Sequence, residues 1–377
     1  MILHLVHDDK VIPRMISLFE QYNPHNNYFV CVSCKNKKSL RFLSDNPNII
    51  MAYSKEETVI DWKTIDKICI HYFDLHKAYY LYIYNFFRQL KNKTIIWFMW
   101  GGDIYSRLER YGFKILSDNN SFLTINTLKA QRSIKDFMVH CFWDVYGCVI
   151  SYVAKYFFQT TVNYVVSSEN EYELFKKYYT FKNCIGVLPF TYYSIEDTLG
   201  ELVDKEVSGN AVIIGHNAGA SCNHEYILDF IKDVDFNQRM IILPMNYGIH
   251  PSYSKIIECK YNDVFSNVQY LNNFLPLNEY NSIMLSASTF IYGNFRQEAW
   301  GNILVALYLG GKVYLSINSP LRIWCENLGF IFFILEDIAK TYNISLTDED
   351  KKHNRKIAFE NFSRKQNEDN IKRICIL

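Results

Sequence analysis

Arg296, Gln297 and Glu298 stand together in Phe290–Gly311, FIYGNFRQEAWGNILVALYLGG. An apolar run ends at Tyr292 and the chain turns through Gly293 and Asn294. A second apolar run, Ile303–Leu309, then stops at Gly310 and Gly311. A strand, a polar turn and a helix N-terminus make a ready anion site, because the first helical N–H groups are unpaired and point outward. Arg296 adds a permanent charge with a planar donor fork suited to phosphate oxygens. Gly301 and Asn302 lie where that helix begins. The plain alternative is a βα corner with a surface arginine. Two more stretches join this one if their strands are parallel: Gly215–Ser221, GHNAGAS, and Pro244–Gly248, PMNYG. Small residues in the first let the backbone approach a phosphate closely. Asn217, Asn246 and Tyr247, with His216 and Gly248 beside them in sequence, offer neutral hydrogen bonds that can read a base or a sugar. Asn223 and His224 open the next helix and complete the candidate set, although His224 alone reads more readily as a cap or packing residue. The whole looks like a nucleotide-diphosphate pocket. No G-x-G-x-x-G and no G-x-x-x-x-G-K-[ST] occurs, which weakens a dinucleotide oxidoreductase and a P-loop ATPase.

In the first half the groups with chemical capacity all follow apolar runs. They are His7, Asp8 and Asp9, then His71 and Asp74, then Trp100-Gly101-Gly102-Asp103. A carboxylate at such a place can act as general base toward an attacking hydroxyl. Asp103 is the first choice, with Asp8 or Asp9 next. Trp100 offers a stacking face, Gly101 and Gly102 permit a tight turn or close sugar approach, and His71 joins them on the acceptor side. Capping of a helix over Ile104–Arg110 is the competing role for Asp103.

Short apolar runs alternate with helical spacings along the chain. Ile2–Val6, Tyr28–Val32, Ile49–Tyr53, Lys67–Tyr72, Thr94–Trp100 and Val162–Ser168 predict one set of strands. Ala211–Gly215, Met240–Leu243, Val268–Asn272, Thr289–Tyr292, Lys312–Ser316 and Phe330–Leu335 predict a second. Ile12, Met15, Ile16 and Phe19 share one helical face. Helices are also expected over His76–Leu90, Glu169–Tyr179 and Asn223–Ile231. This alternation implies parallel sheets with helices on both faces, whose ligands bind at the carboxyl ends of the strands. The polar stretch Ser194–Asn210 is the expected linker, and Lys351–Arg373 reads as a charged surface helix.

With 377 residues, about half of them apolar, the chain is long enough for two ordinary domains. A net charge of +1 gives no reason to expect nucleic acid. Among ten cysteines, Cys31 and Cys34 form the one C-x-x-C, with no second pair to complete a zinc site, so neither metal nor cofactor is expected. Asp8 and Asp9 follow the short apolar opening, so no signal peptide is read, and free thiols in a reducing cytosol are expected. No run has the ~20 apolar residues that span a bilayer. Gln131–Phe158 mixes Phe137, Phe142, Trp143, Tyr146, Tyr152 and Tyr156 with Arg132, Lys135, His140 and Lys155. Asp136, Asp144 and Lys155 argue against a span. An interfacial helix on the cytoplasmic membrane surface, a buried cover for the sheet, and a dimer contact stay open.

Five stretches in sequence order carry a resemblance. They are HLVHDDKVIPRMISLFE (His4–Glu20), WFMWGGDIY (Trp97–Tyr105), IIGHNAGASCNHEYIL (Ile213–Leu228), LPMNYG (Leu243–Gly248) and YGNFRQEAWGNI (Tyr292–Ile303). They look like the TDP-4-acetamido-4,6-dideoxygalactose (Fuc4NAc):lipid II transferases of enterobacterial common antigen synthesis, glycosyltransferase family 56. The resemblance implies an α/β protein of the GT-B kind, with two doubly wound Rossmann-like domains facing across a cleft. It implies metal-independent transfer of a deoxy amino sugar from a TDP-sugar to a polyprenyl-diphosphate-linked saccharide, peripheral on the cytoplasmic face of the bacterial inner membrane. Residues 1–195 would bind acceptor and membrane, 196–350 the nucleotide sugar, and 351–377 would form a closing helix. A non-catalytic saccharide-binding module and a sugar-nucleotide epimerase of the same fold are the alternatives.

Overall fold

A computed structural model describes residues 1–32, 36–84, 90, 92–130, 133–248 and 251–377. The chain forms two compact units. One comprises 1–112, 143–193 and 364–377, and the other 113–142 and 194–363.

In the first unit, Ile2–Val6 (β1), Asn27–Cys31 (β2), Ile49–Met51 (β3), Lys67–His71 (β4), Thr94–Phe98 (β5), Tyr164–Val166 (β6) and Gly186–Leu188 (β7) form one parallel sheet. Its order is β3-β2-β1-β4-β5-β6-β7. The strands are continuous apolar runs because both faces are covered. On one face the helix Ile12–Tyr22, started by Pro13, buries Met15, Ile16 and Phe19 against Phe29, Cys31 and Phe98. On the other, Trp97 stacks on Phe158 at 4.0 Å and Phe73 on Phe157 at 4.7 Å. Many of the aromatic residues therefore fill the core.

In the second unit, Ala211–Ile214 (β8), Ile241–Pro244 (β9), Val268–Leu271 (β10), Ala287–Tyr292 (β11), Lys312–Leu315 (β12) and Phe333–Ile334 (β13) form a second parallel sheet. Its order is β10-β9-β8-β11-β12-β13. Phe290, Tyr292, Leu304 and Leu307 pack on one side, and Ile214, Ile227, Leu243 and Ile291 on the other. In each sheet the strand order reverses beside the first strand, between β1 and β4 and between β8 and β11. Those reversals are where such sheets bind ligands.

The expected strands are present, and β7 is added. Three residues opening on Gly186 are too short to show a period. The expected linker Ser194–Asn210 starts where the chain passes from the first unit to the second, and its first part is helical. Ser194 caps the helix Ile195–Leu199, whose Ile195 and Leu199 lie in the second core. The C-terminal stretch is two helices, Asp348–Phe362 and Arg364–Ile376, separated at Ser363. Ala358 is buried in the second unit and Ile371 and Ile374 in the first, so the stretch is not one surface helix. The units also differ from a contiguous division at 195, because 113–142 packs with the second. The helix expected over His76–Leu90 starts at Leu75 and is followed to Tyr84, and 85–89 lie outside the described residues. Cys31 is a buried free thiol, and Cys34 also lies outside the described residues. Among the described residues one helix, Ile134–Thr160, is long and apolar enough by length and composition to cross a membrane, which corrects the expectation that no segment is.

Candidate functional site

The carboxyl ends of β8, β9 and β11 meet in the second unit. Gly215 follows β8 with φ +69°, and its N–H bonds to the Ile291 carbonyl at 2.9 Å. A Cβ there would lie 3.0 Å from Nε2 of His224, so glycine is required both for its φ and for this approach. The Ala218 N–H donates to the Tyr247 carbonyl at 2.9 Å, tying this loop to the end of β9. Gly248, at φ +72°, comes so close that a Cβ would sit 3.1 Å from the Gly219 nitrogen. Asn217 locks the loop. Its Oδ1 accepts from the Gly219 N–H at 2.6 Å and its Nδ2 donates to His216 Nε2 at 2.8 Å. That contact leaves the proton on His216 Nδ1, which faces Cys222 Sγ at 3.3 Å. Burial pushes the Cys222 thiol up to about 12, so it stays protonated and donates to Asn217 Oδ1 at 3.2 Å.

From β11 the chain passes Gly293 and Asn294 to Arg296, Gln297 and Glu298. The Arg296 guanidinium is ion-paired with Glu298. The other Glu298 oxygen accepts from Asn294 Nδ2 at 3.0 Å. Burial pushes the Glu298 carboxyl up, but the bond to Arg296 and its charge prevail, holding the group below the usual range and ionised. Ala299 takes a left-handed φ of +63°, a strain of about 1–2 kcal/mol in a non-glycine residue, immediately before the helix Trp300–Tyr308. Gly301 is exposed with open space around it, and Asn302 is half-buried at the same helix start. An arginine, unpaired helix N–H groups and a glycine loop thus share one end of the sheet, as an anionic ligand requires. Asn246 and Asn294 each keep a buried side-chain oxygen without a partner beside them. Gln297 is half-buried at the same turn.

Two of the residues expected here do not join the site. Asn223 is buried. Its Oδ1 accepts from the Ser117 N–H at 2.9 Å and from Asn120 Nδ2 at 3.2 Å, and its Nδ2 donates to the Ile115 and Gly293 carbonyls. With those atoms engaged it pins the 113–121 segment to the β11 turn. His224 is buried beneath Gly215 with neither ring nitrogen bonded, and burial lowers its pKa to about 3.

In the first unit the ends of β1, β4 and β5 hold a second cluster. The His7 ring lies 4.9 Å from Trp100 and 5.2 Å from Tyr72, and burial, with Lys77 next in effect, lowers its pKa to about 4. Tyr72 has a left-handed φ of +61° and packs against Gly102, where a Cβ would meet its ring at 3.0 Å. Trp100 Nε1 donates to the Tyr192 hydroxyl at 2.7 Å, and Gly101 begins the helix Gly101–Leu108 beside it. Buried Lys77 pairs with Asp74 at 3.0 Å.

Asp103 is sealed in this region. Its Oδ2 accepts from the Phe73 N–H at 2.7 Å and Trp97 Nε1 at 3.0 Å, and its Oδ1 from the Trp100 N–H at 2.8 Å. It caps the helix as sequence allowed, and its surroundings do not fit the role of base, which needs a lone pair open to the acceptor. Burial raises its pKa to about 6 despite Arg107 beside it. Asp8 accepts from the Arg41 and Phe42 N–H groups at 2.5 and 2.9 Å and organises that loop. Asp9 Oδ1 accepts from the Val11 N–H at 3.1 Å in the turn before the helix Ile12–Tyr22, which has no side-chain cap, and Asp9 Oδ2 lies outside that bond. His71 is not on the acceptor surface. Its side chain points into the core, Nε2 3.1 Å from His4 Nδ1 and the ring 4.1 Å from Phe98. Sequence reasoning missed Tyr72, Tyr192 and Cys222; Tyr72 directly follows β4, which was the one available signal, whereas Tyr192 and Cys222 lie four and eight residues beyond the ends of β7 and β8. Among the described residues no group of three or more His, Cys, Asp or Glu side chains is placed to hold a metal ion.

No protein-family model matches the chain, and no curated protein matches it in sequence. Solved structures do match it. HepE from Anabaena, in complex with UDP and glucose, is similar at TM-score 0.60 and 13% identity, over 100% of this chain and 99% of that one. A glycosyltransferase from Rickettsia africae is similar at TM-score 0.62 and 11% identity, over 100% and 96%. WaaG, a glycosyltransferase involved in lipopolysaccharide biosynthesis, is similar at TM-score 0.56 and 10% identity, over 99% and 98%. At such identities the likeness concerns the fold, and that fold, two Rossmann-like units each with a parallel sheet, is the GT-B fold of glycosyltransferases.

Proposed function

We propose that this chain is a glycosyltransferase. It moves a deoxy amino sugar of the Fuc4NAc type from a TDP-sugar to a polyprenyl-diphosphate-linked saccharide at the cytoplasmic face of the bacterial inner membrane. The observation that carries the reading is the β8/β11 end, where Arg296, Glu298 and the start of the helix Trp300–Tyr308 adjoin the Gly215 loop. The UDP and UDP-glucose bound by HepE support a sugar-nucleotide donor. The five sequence stretches support the particular sugar and acceptor.

In this reading an acceptor hydroxyl oxygen bonds to the anomeric carbon as the bond from that carbon to the diphosphate breaks. The electron pair leaves on TDP, where Arg296 and the helix N–H groups stabilise the charge. The hydroxyl proton passes to a base on the acceptor side, with Asp9 the better candidate because Oδ2 lies outside its bond to the Val11 N–H. Asp9→Asn lowers kcat at least 100-fold with TDP binding unchanged if so, and undiminished turnover removes Asp9 from the mechanism. A non-catalytic saccharide-binding module is the second reading, favoured by the engagement of both Asp103 and Asp8. Calorimetry with TDP, UDP and GDP without added metal, followed by transfer of TDP-bound sugar to a lipid-linked saccharide, separates the two. Selective TDP binding with transfer supports the transferase, glycan binding without transfer supports the module, and no nucleotide binding overturns the donor site.

A further inference from the structure

The helix Ile134–Thr160 has a buried side only in its last turns; up to Val145 it is exposed all round, Val139 and Trp143 included. Ser151, Ala154, Phe157 and Phe158 are buried, and the two phenylalanines belong to the aromatic layer under Trp97 and Phe73. At about 100° per residue these four share one side. Ile134, Phe137, Met138, Val145, Tyr152 and Tyr156 fall on the other, within an arc of about 100° that runs for about 33 Å. Each of the six is between 58% and 81% exposed. Apolar strips of that size are uncommon on a monomer surface and mark a place where something else is bound.

The fold and the charges select the occupant. The helix passes the length and composition test for a membrane span, yet its last turns are part of a protein core and cannot also lie in lipid. The remaining turns carry Lys135, Asp136, His140 and Asp144, which a bilayer centre excludes but an interface accommodates. Asp136 and His140 project away from the strip and Asp144 lies at its rim. Exposed Lys155 borders the strip on the same side as Asp144, and exposed Lys135 lies beyond the opposite edge. Lysine stems on both flanks let the ammonium groups reach anionic headgroups while the apolar side chains sink between acyl chains. The hydroxyls of Tyr152 and Tyr156 suit headgroup depth.

We infer that this strip is a membrane-docking surface: the helix lies in the plane of an anionic bilayer with Ile134, Phe137, Met138, Val145, Tyr152 and Tyr156 inserted. The inference draws on the transfer reading only in that a lipid-linked acceptor would be met there, and it stands without it. The test is co-sedimentation of the full chain with vesicles of phosphatidylcholine alone or mixed equally with phosphatidylglycerol. The parent chain pellets with the mixed vesicles. Met138→Asp combined with Val145→Asp lowers the bound fraction at least tenfold with unchanged circular dichroism, because both sites are exposed. Lys135→Gln with Lys155→Gln weakens binding to the mixed vesicles and removes its salt dependence. The inference is overturned if the parent stays in the supernatant, if the double aspartate variant pellets like the parent, or if the parent is a dimer that this variant dissociates without any vesicle binding. TDP calorimetry on the same preparations keeps the readings apart: absent TDP binding with vesicle binding lost only in the variant sinks the transferase and leaves the docking surface in place.

Discussion

The ion pair between Arg296 and Glu298 makes a quantitative demand on nucleotide binding. In the ligand-free protein the guanidinium is already bonded to an ionised carboxylate. A diphosphate at the start of the helix Trp300–Tyr308 must share that guanidinium and approach the same negative charge. A charge-assisted hydrogen bond contributes about 1.5–3 kcal/mol, and about 1.4 kcal/mol is tenfold in affinity. Arg296→Ala therefore raises the Kd for TDP by about 10- to 150-fold. Repulsion between Glu298 and the diphosphate, at a separation of ~6 Å and an effective dielectric of ~20–40, is about 1–3 kcal/mol. Glu298→Gln therefore tightens TDP by about 5- to 150-fold. In that background Arg296→Ala costs more than in the parent, because the guanidinium no longer has a competing partner. The four proteins of this cycle are measured by calorimetry at a fixed ionic strength of about 0.15 M, since screening changes every term. If Arg296→Ala stays within twofold of its parent in both backgrounds, Arg296 does not hold the diphosphate and the site has been misread. If Glu298→Gln weakens TDP, Glu298 contacts the nucleotide directly and the competition argument is wrong.

Two further predictions concern stability. Glu171 is buried, accepting from the Tyr105 hydroxyl at 3.1 Å and Ser167 Oγ at 3.0 Å, and burial raises its pKa from 4.5 to about 7. The folded protein thus holds the proton more tightly than the unfolded chain. The contribution is fully present below about pH 4.5 and is lost as pH rises through about 7. Glu171→Gln, which can satisfy both hydroxyls, stabilises the protein by about 2–3 kcal/mol at pH 8 and not at pH 4.5, as read by denaturant unfolding. An equal effect at both pH values would contradict a protonated Glu171. Asn223→Ala strands the Ser117 N–H and the Gly293 carbonyl and puts alanine at φ +52°. Each stranded group costs about 1–3 kcal/mol and the backbone about 1 more, so a loss of about 3–7 kcal/mol is expected. Asn223→Gly recovers about 1 kcal/mol of that, and no difference between the two variants would refute the backbone part.

Much of the architecture could be read directly along the chain. A buried parallel strand must be a continuous apolar run, and a helix on its face must repeat near 3.6 residues, so Ile2–Val6 and Ile12–Tyr22 declare themselves locally. The same holds for Gly215 and Gly248, where small residues after apolar runs mark places the backbone must turn or approach closely. Arg296 beside the start of a helix was legible for that reason. Other features depended on partners far away in sequence. Asn223 is structural because it bonds Ser117, 106 residues earlier, and nothing near Asn223 encodes that meeting. Asp103 followed a strand as a base would, but Phe73 and Trp97 both donate to its Oδ2 only when β4 and β5 pair. His71 ended a strand as expected, yet strand parity turned its ring under the sheet toward Phe98. In the last turns of Ile134–Thr160, the side left exposed was likewise settled by which residues reached the layer under Trp97. Local periodicity determined the elements and their order. Which polar groups stayed open to a ligand was decided by packing, because a side chain is engaged or open only with respect to neighbours that the fold supplies.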